Sequence, residues 1–272
     1  MEFLLLCVAA VLFVAWLLGR PWLVERRRAQ LRKQPFPARW RRMLQQQVPH
    51  VARLPTDLQL QLKQHMQVFL AEKPFLGCGG LVVTEAMRVV IAAQACLLLL
   101  NRRAGYYPEL RQILVYPGPF VVNRVRSHGT GVLQDTRQVL SGESWSQGQV
   151  ILSWQDVEDG AADPADGRNV VIHEFAHQLD QETGHANGAP RLRSRASYTS
   201  WSTVLGQEFA LLQQRSAAGE SSLLNDYGAS DPAEFFAVAS EAFFELSQRM
   251  ADEHAALYAE LRRFYCVDPN AW

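Results

Sequence analysis

The chain has 272 residues, of which 48% are hydrophobic and 20% are charged. This composition excludes global disorder, and its 17 glycines and 13 prolines form no repeat that would indicate a collagen-like or low-complexity chain. The 27 basic and 27 acidic side chains balance, so the sequence predicts no direct binding of nucleic acid. The 4 cysteines are far apart and predict neither a disulfide framework nor a cysteine zinc cluster.

The start of the chain is apolar and is followed by a basic stretch. Residues 3–18 carry no charge, whereas residues 20–42 contain nine basic side chains and a single acid, Glu25. A helix over the apolar residues rises about 24 Å, close to the roughly 30 Å of a bilayer core. Because the basic residues follow the apolar ones, the positive-inside rule predicts a single-pass anchor in the inner membrane with the remaining chain in the cytoplasm. A cleaved signal and a buried helix of a soluble protein are the alternatives.

The chain is therefore divided into three predicted regions. They are a membrane-anchor helix over residues 1–24, a basic neck over residues 25–39, and one folded domain over residues 40–272. The neck is expected to lie on anionic lipid or simply to flank the anchor.

The folded domain shows helical periodicity, then β patterns, then helical periodicity again. Thr56 is expected to cap the first helix, and residues 75–80 are interpreted as a glycine-rich loop. Predicted helices cover residues 56–72, 84–101, 167–182, 197–217, 233–248 and 251–265, and predicted strands cover residues 112–116, 119–125 and 149–154. This order predicts an α+β domain with a small sheet.

One short motif carries most of the chemical information. It is His173-Glu174-Phe175-Ala176-His177, within an otherwise apolar stretch. Positions i and i+4 share one face of a helix, so both imidazoles can bind one Zn²⁺. Glu174 is then suited to accept a proton from a metal-bound water. The alternative is a core helix whose histidines are merely hydrogen-bonded.

Catalytic zinc usually has three protein ligands, so a third ligand is expected elsewhere. The extended HExxHxxGxxH pattern is absent, because its glycine and histidine do not follow and position 183 is Thr183. His254 opens the last predicted helix and is interpreted as a solvated surface residue. The third ligand is therefore expected to be a carboxylate from a later helix.

The predicted helix 233–248 offers three acidic candidates, namely Glu234, Glu241 and Glu245. Glu234 is the favoured ligand and Glu241 the second choice. Glu234 also follows Asp231 and Pro232 at capping-box spacing, which is an alternative structural role. A glutamate that does not bind the metal is expected to hold a ligand histidine.

Six stretches of the body share their order with a known family. They are WRRML at 40–44, ILVYPGPFVV at 113–122, SGESWSQGQVILSW at 141–154, HEFAH at 173–177, NDYGA at 225–229 and DPAEFFAVASEAFF at 231–244. Together they resemble the Mlc titration factor A family of bacterial zinc peptidases over residues 40–269. The familiar members begin near the WRRML-like stretch, whereas this chain has the apolar segment and basic neck before it.

The resemblance implies a zincin-like metallopeptidase of the gluzincin kind. It implies that one zinc ion is bound by His173, His177 and Glu234, that Glu174 is the general base, and that Tyr227 stabilises the oxyanion. A phenol donor near the scissile carbonyl is chemically reasonable for a tetrahedral intermediate. Without the resemblance, Tyr227 would be interpreted as an ordinary loop residue that caps a neighbouring helix.

The resemblance also implies a substrate class and a partner. The substrate would be a small peptide or the N-terminal residue of a peptide, as for an aminopeptidase. By analogy with zincins, the strand over residues 150–154 is expected to pair with the extended substrate. The alternative function is a zinc-stabilised regulator that captures a transcriptional repressor of the Mlc type, with hydrolysis incidental.

Overall fold

The computed structural model describes the backbone of residues 1–102, 105–127, 133–140, 142–145 and 148–272. Side chains are described outside residues 120–147 and outside most of residues 2–18. The helices of this part are α1 Glu2–Lys33, α2 Ala38–Gln47, α3 Thr56–Glu72, α4 Glu85–Leu97, α5 Trp154–Ala162, α6 Val170–Asp180, α7 Arg195–Ala218, α8 Pro232–Glu245, α9 Ser247–Glu253 and α10 Ala255–Tyr265. The strands are β1 Phe75–Gly77, β2 Gln112–Tyr116, β3 Phe120–Ser127, β4 Leu133–Leu140, β5 Gly142–Trp145 and β6 Gln149–Ser153.

The sheet at the centre of the fold is small and mostly parallel. Its strand order is β1-β2-β6-β5, with β1, β2 and β6 parallel and β5 antiparallel to β6. Ile113 pairs with Val150 and Val115 pairs with Leu152, and all four side chains are fully buried. β3 and β4 form a separate antiparallel pair. The prediction of helices around a small sheet is confirmed.

The sheet order corrects two expectations. The strand over residues 150–154 was expected to pair with a substrate, but β6 is bonded to β2 on one side and β5 on the other. It therefore has no free edge, and β5 is the terminal strand. Residues 75–80 were expected to form a loop, yet they begin with β1, a strand too short to give a two-residue hydrophobic period.

The core is organised around aromatic rings that α3 and α6 contribute. Phe69 is fully buried, and its ring centroid lies 5.7 Å from that of Phe175 and 6.1 Å from that of Tyr107. α4 is buried nearly all round, as its sequence predicts, and its first turn is capped by Thr84. At α3 the expected cap is wrong, because Thr56 is the first helical residue and makes no capping hydrogen bond.

The predicted membrane anchor is wrong. Among the residues that the structure describes, no helix is both long and apolar enough to cross a bilayer. This finding overturns the predicted single-pass inner-membrane localisation, and it leaves the anchor helix and the membrane partner without support. α1 runs without interruption from Glu2 to Lys33 and includes the apolar residues together with charged residues such as Arg20 and Glu25.

The basic end of α1 is attached to the folded body. Arg28 makes two hydrogen bonds of 2.7 Å to the carboxylate of Glu72 on α3, and its guanidinium lies 4.9 Å from the ring centroid of Tyr106. Gln67 donates a 2.8 Å hydrogen bond to the backbone carbonyl of Gln34 directly after the helix. At least part of the basic neck therefore serves intramolecular packing.

The ring cluster predicts a large loss of stability on truncation. Phe69→Ala is expected to lower the free energy of unfolding by about 3–5 kcal/mol, because it leaves a cavity between α3, α6 and the Tyr107 segment. Leu60→Ala on the same helix removes a side chain that is 58% exposed and is expected to change stability by less than about 0.5 kcal/mol. Denaturant unfolding of both variants is the measurement. Equal effects would contradict this description of the core.

Candidate metal centre

The two histidines of the HExxH sequence lie on α6. Asn169 caps this helix, because its Oδ1 accepts a 3.0 Å hydrogen bond from the backbone N–H of Ile172. One helical turn then separates His173 from His177, and their Nε2 atoms face each other at 3.2 Å. Both side chains are about nine-tenths buried. The spacing read from the sequence thus gives two imidazoles directed at one point.

Glu234 is the third group at this point. It lies in the first turn of α8, where Asp231 Oδ1 accepts hydrogen bonds from the N–H groups of Ala233 and Glu234. The Glu234 carboxylate turns away from the cap, so that its Oε2 lies 2.9 Å from His173 Nε2 and 3.3 Å from His177 Nε2. The N-cap is real, but the side chain of Glu234 is directed at the histidines.

The geometry of these three groups fits a bound cation. Their ligand atoms all lie within 4.8 Å of one another. Ligand atoms at about 2.0–2.1 Å from a tetrahedral ion lie about 3.3–3.4 Å apart, and the observed separations are 2.9, 3.2 and 3.3 Å. Neutral imidazoles and a carboxylate present lone pairs to the shared space, and only a cation or a proton relieves their repulsion. The site is therefore suited to a divalent metal.

Glu241, the second candidate ligand, lies on the other side of His173. Its Oε1 is 2.8 Å from His173 Nδ1, and its Oε2 accepts a 2.5 Å hydrogen bond from the backbone N–H of Asn169. A proton shared between Nδ1 and Glu241 leaves the Nε2 lone pair of His173 free for a metal. Glu241 thus fixes the orientation of the His173 ring through Nδ1, while Glu234 approaches the Nε2 atom of the same ring.

The charges at the site shift each other's pKa. Burial opposes protonation of His173, but its hydrogen bonds to Glu234 and Glu241 prevail and raise the pKa of His173 well above its usual value. Burial also opposes ionisation of Glu234, yet the hydrogen bonds from His173 and His177 hold its pKa well below the usual range. A proton and a metal ion therefore compete for the same three groups.

A buried polar network behind the site was not predicted from the sequence. The Asn169 side-chain amide donates to Gln94 Oε1 at 2.6 Å and to Glu245 Oε1 at 2.9 Å. Burial is the main cause that raises the pKa of Glu245 to about 8. One sequence signal was available, namely Gln94 as the polar residue within the apolar stretch from Val89 to Leu97. It indicated a polar partner but not which one.

Three further candidate residues lie outside the group of three metal ligands. Glu174 is 4% exposed and follows His173 on α6. Tyr227 lies in a short 3-10 helix that Asn225 caps; it is 39% exposed, and its ring centroid is 6.0 Å from that of His173. The expectation that His254 is a surface residue is wrong, because it is 5% exposed and its Nδ1 lies 2.7 Å from Glu208 Oε2 on α7.

The buried carboxyl of Glu245 predicts a pH-dependent stability. Its folded pKa of about 8 exceeds the model-peptide value of 4.5, so the stabilisation by its protonated form is complete below about pH 4.5 and is lost as the pH rises through about 8. Glu245→Gln keeps the acceptor for Asn169 and is expected to remove this loss, which is on the order of 1–4 kcal/mol between pH 5 and pH 9.

Urea unfolding at both pH values measures the effect, with the exposed Glu253→Gln on α9 as the matched control. Wild-type pH dependence in the Glu245→Gln variant would contradict the assignment.

Comparisons with known proteins agree with this arrangement. The family model described as glucose-regulated metallo-peptidase M90 matches residues 22–266. An uncharacterized protein of Synechocystis sp. is 38% identical over 257 residues, which cover 94% of each chain. Proteins named Mlc titration factor A from Yersinia pestis and Yersinia pseudotuberculosis are 33% identical over 237 residues, which cover 86% of each chain. The resemblance to Mlc titration factor A that the motifs indicated is confirmed. The chain belongs to the glucose-regulated metallo-peptidase M90 family.

Proposed function

We propose that the chain is a zinc-dependent peptidase whose catalytic domain spans residues 40–272 and has a zincin-like architecture. The observation that carries the proposal is the meeting of His173, His177 and Glu234 at one point, in a chain of a metallopeptidase family. Two histidines and one glutamate are the ligand set of thermolysin-like zinc enzymes, which leave one position for water. We therefore assign one Zn²⁺ to these residues.

The zinc ion, when bound, lowers the pKa of a water from 15.7 toward about 7 and polarises the peptide carbonyl. Glu174 is the proposed general base, and its carboxylate accepts the proton of the attacking water. The same carboxyl then delivers that proton to the leaving amine. Glu174 is buried and directly follows His173 on α6, which supports this role. A buried carboxylate exchanges its proton with the reactants rather than with bulk water.

Tyr227 is the proposed donor to the oxyanion. Its partial exposure and its ring close to that of His173 support a phenol that reaches a substrate bound at the metal. A hydrogen-bond donor directed at the developing negative charge stabilises the transition state more than the substrate.

Small peptides are the proposed substrates, with removal of N-terminal residues as the preferred reaction. The backbone of β5 supports binding of an extended chain, because β5 is the terminal strand of the sheet and contacts α6. A peptide that adds to this edge would lie beside the helix that carries His173.

The base assignment is tested by Glu174→Gln. This variant is expected to lose about 10²–10⁴-fold in the rate of peptide hydrolysis while its zinc content stays at the wild-type level. Hydrolysis of peptides with free and acetylated N-termini, followed by chromatography, is the measurement, and Glu158→Gln on the exposed side of α5 is the control. Normal cleavage by Glu174→Gln would rule out the assignment, and equal cleavage of acetylated peptides would rule out the aminopeptidase preference.

The ligand assignment is tested by metal analysis of two alanine variants. Glu234→Ala is expected to lose zinc during dialysis against a weak chelator, because it removes a ligand. Glu241→Ala is expected to keep zinc with about 10–100-fold lower affinity, because it removes only the partner of His173 Nδ1. If Glu241→Ala alone loses the metal, the third ligand is Glu241.

Capture of a repressor of the Mlc type is the second candidate function. The observation that favours it is the name of the Yersinia relatives, Mlc titration factor A. In this case the zinc ion stabilises a binding surface, and Glu174→Gln would leave capture of the repressor intact while hydrolysis is lost.

A further inference from the structure

A large cleft lies away from the metal centre. It has a volume of about 1300 Å³ and is bounded by the first turns of α7, the end of α10, and residues 101, 102, 105, 108, 109 and 191–193. None of the residues His173, His177 and Glu234 lines it. The volume exceeds the 300–1,000 Å³ of ordinary small-molecule sites, so it accommodates a whole metabolite.

Guanidinium groups dominate the charge of this cleft. Two of its five arginines have acidic partners, since Arg262 pairs with Asp268 and Arg263 pairs with Glu260. Both lie in the last turn of α10, where positive charge also complements the helix dipole. These two arginines are explained by the fold, which leaves Arg102, Arg191 and Arg193.

The remaining arginines lack strong acceptors within the described part of the chain. The Arg102 guanidinium lies 4.0 Å from the ring centroid of Phe264, and its Nη1 is buried without a hydrogen-bond partner there. Arg193 donates to the thiol of Cys266 at 3.0 Å, and a thiol is a weak acceptor. The ring of Phe264 contacts the Arg102 guanidinium but accepts none of its N–H groups as a carboxylate would.

The acids in the cleft only partly offset these cations. Glu260 is buried and pairs with Arg263. Glu182 is half-buried, and burial raises its pKa although the charges of Arg102 and Arg191 oppose this shift. Its Oε1 is buried without a hydrogen-bond partner in the described residues, so neither arginine is engaged by that atom. Glu109 is exposed. Within the described residues, the cleft thus combines guanidinium N–H donors that lack a strong acceptor with one carboxyl oxygen that lacks a donor.

We propose that this cleft binds a small phosphorylated metabolite. Several guanidinium groups suit a phosphate, which has more acceptor oxygens and more charge than a carboxylate and accepts bidentate hydrogen bonds from arginine. The free oxygen of Glu182 and the hydroxyl of Ser197, which also lines the cleft, suit the hydroxyl groups of such a molecule. The binding is independent of the proposed peptidase chemistry.

Titration calorimetry of the full-length protein with inorganic phosphate and glycerol 3-phosphate, at constant ionic strength, tests the proposal. Both ligands are expected to bind, with glycerol 3-phosphate the tighter, and acetate is expected to bind at least about tenfold more weakly. Arg191→Ala and Arg193→Ala are expected to weaken phosphate binding at least about fivefold each, and Arg102→Gln at least about tenfold. Arg215→Ala, at the other end of α7, is expected to bind as the wild type does.

Several outcomes overturn the proposal. They are no phosphate binding by the wild type, unchanged binding by the exposed-residue variants Arg191→Ala and Arg193→Ala, and equal or tighter binding of acetate or of an oligoglutamate peptide. The exposed variants decide the result even if Arg102→Gln fails to fold. Glu234→Ala is expected to bind phosphate with wild-type affinity, and loss of binding there would assign the phosphate to the metal centre instead.

Discussion

The contact between His173 and Glu241 is the interaction on which the candidate site depends. It joins α6 to α8, and one carboxylate both orients the imidazole and accepts the backbone N–H of Asn169 at the start of α6. This carboxylate also lies at the N-terminal, positive end of the α6 dipole. Given this contact between α6 and α8, the first turn of α8 places Glu234 next to the Nε2 atoms of both histidines.

Much of the site could be predicted because its information is local. The HExxH spacing gives two imidazoles on one helical face, and the Asp-Pro-Ala-Glu sequence marks the first turn of a helix. Glu234 was favoured over Glu241 from the sequence, and the family resemblance implied the same ligand. Both residues lie on one predicted helix, so their spacing alone did not decide between them. Only the fold distinguishes their sides of His173, because the packing of α8 on α6 is a long-range property.

The errors also follow from contacts that are distant in sequence. Asn169 and Gln94 are 75 residues apart, and His254 and Glu208 are 46 residues apart, so no periodicity links either pair. A three-residue segment such as β1 is recognisable as a strand only through its hydrogen bonds to the parallel strand β2. At the N-terminus, hydropathy suggested a boundary between anchor and neck, whereas α1 is one helix whose basic end pairs with Glu72.

The double role of Glu241 restricts which residue that position accepts. Asn169 offers a backbone hydrogen and His173 Nδ1 is a second donor, so both carboxylate oxygens face donors. Glutamine has the right shape, but its amide nitrogen would confront one of those hydrogens with another. Aspartate has the right charge but is one methylene shorter, so it would have to leave either the ring or the helix start. A substitution at position 241 therefore leaves at least one donor of α6 without its acceptor.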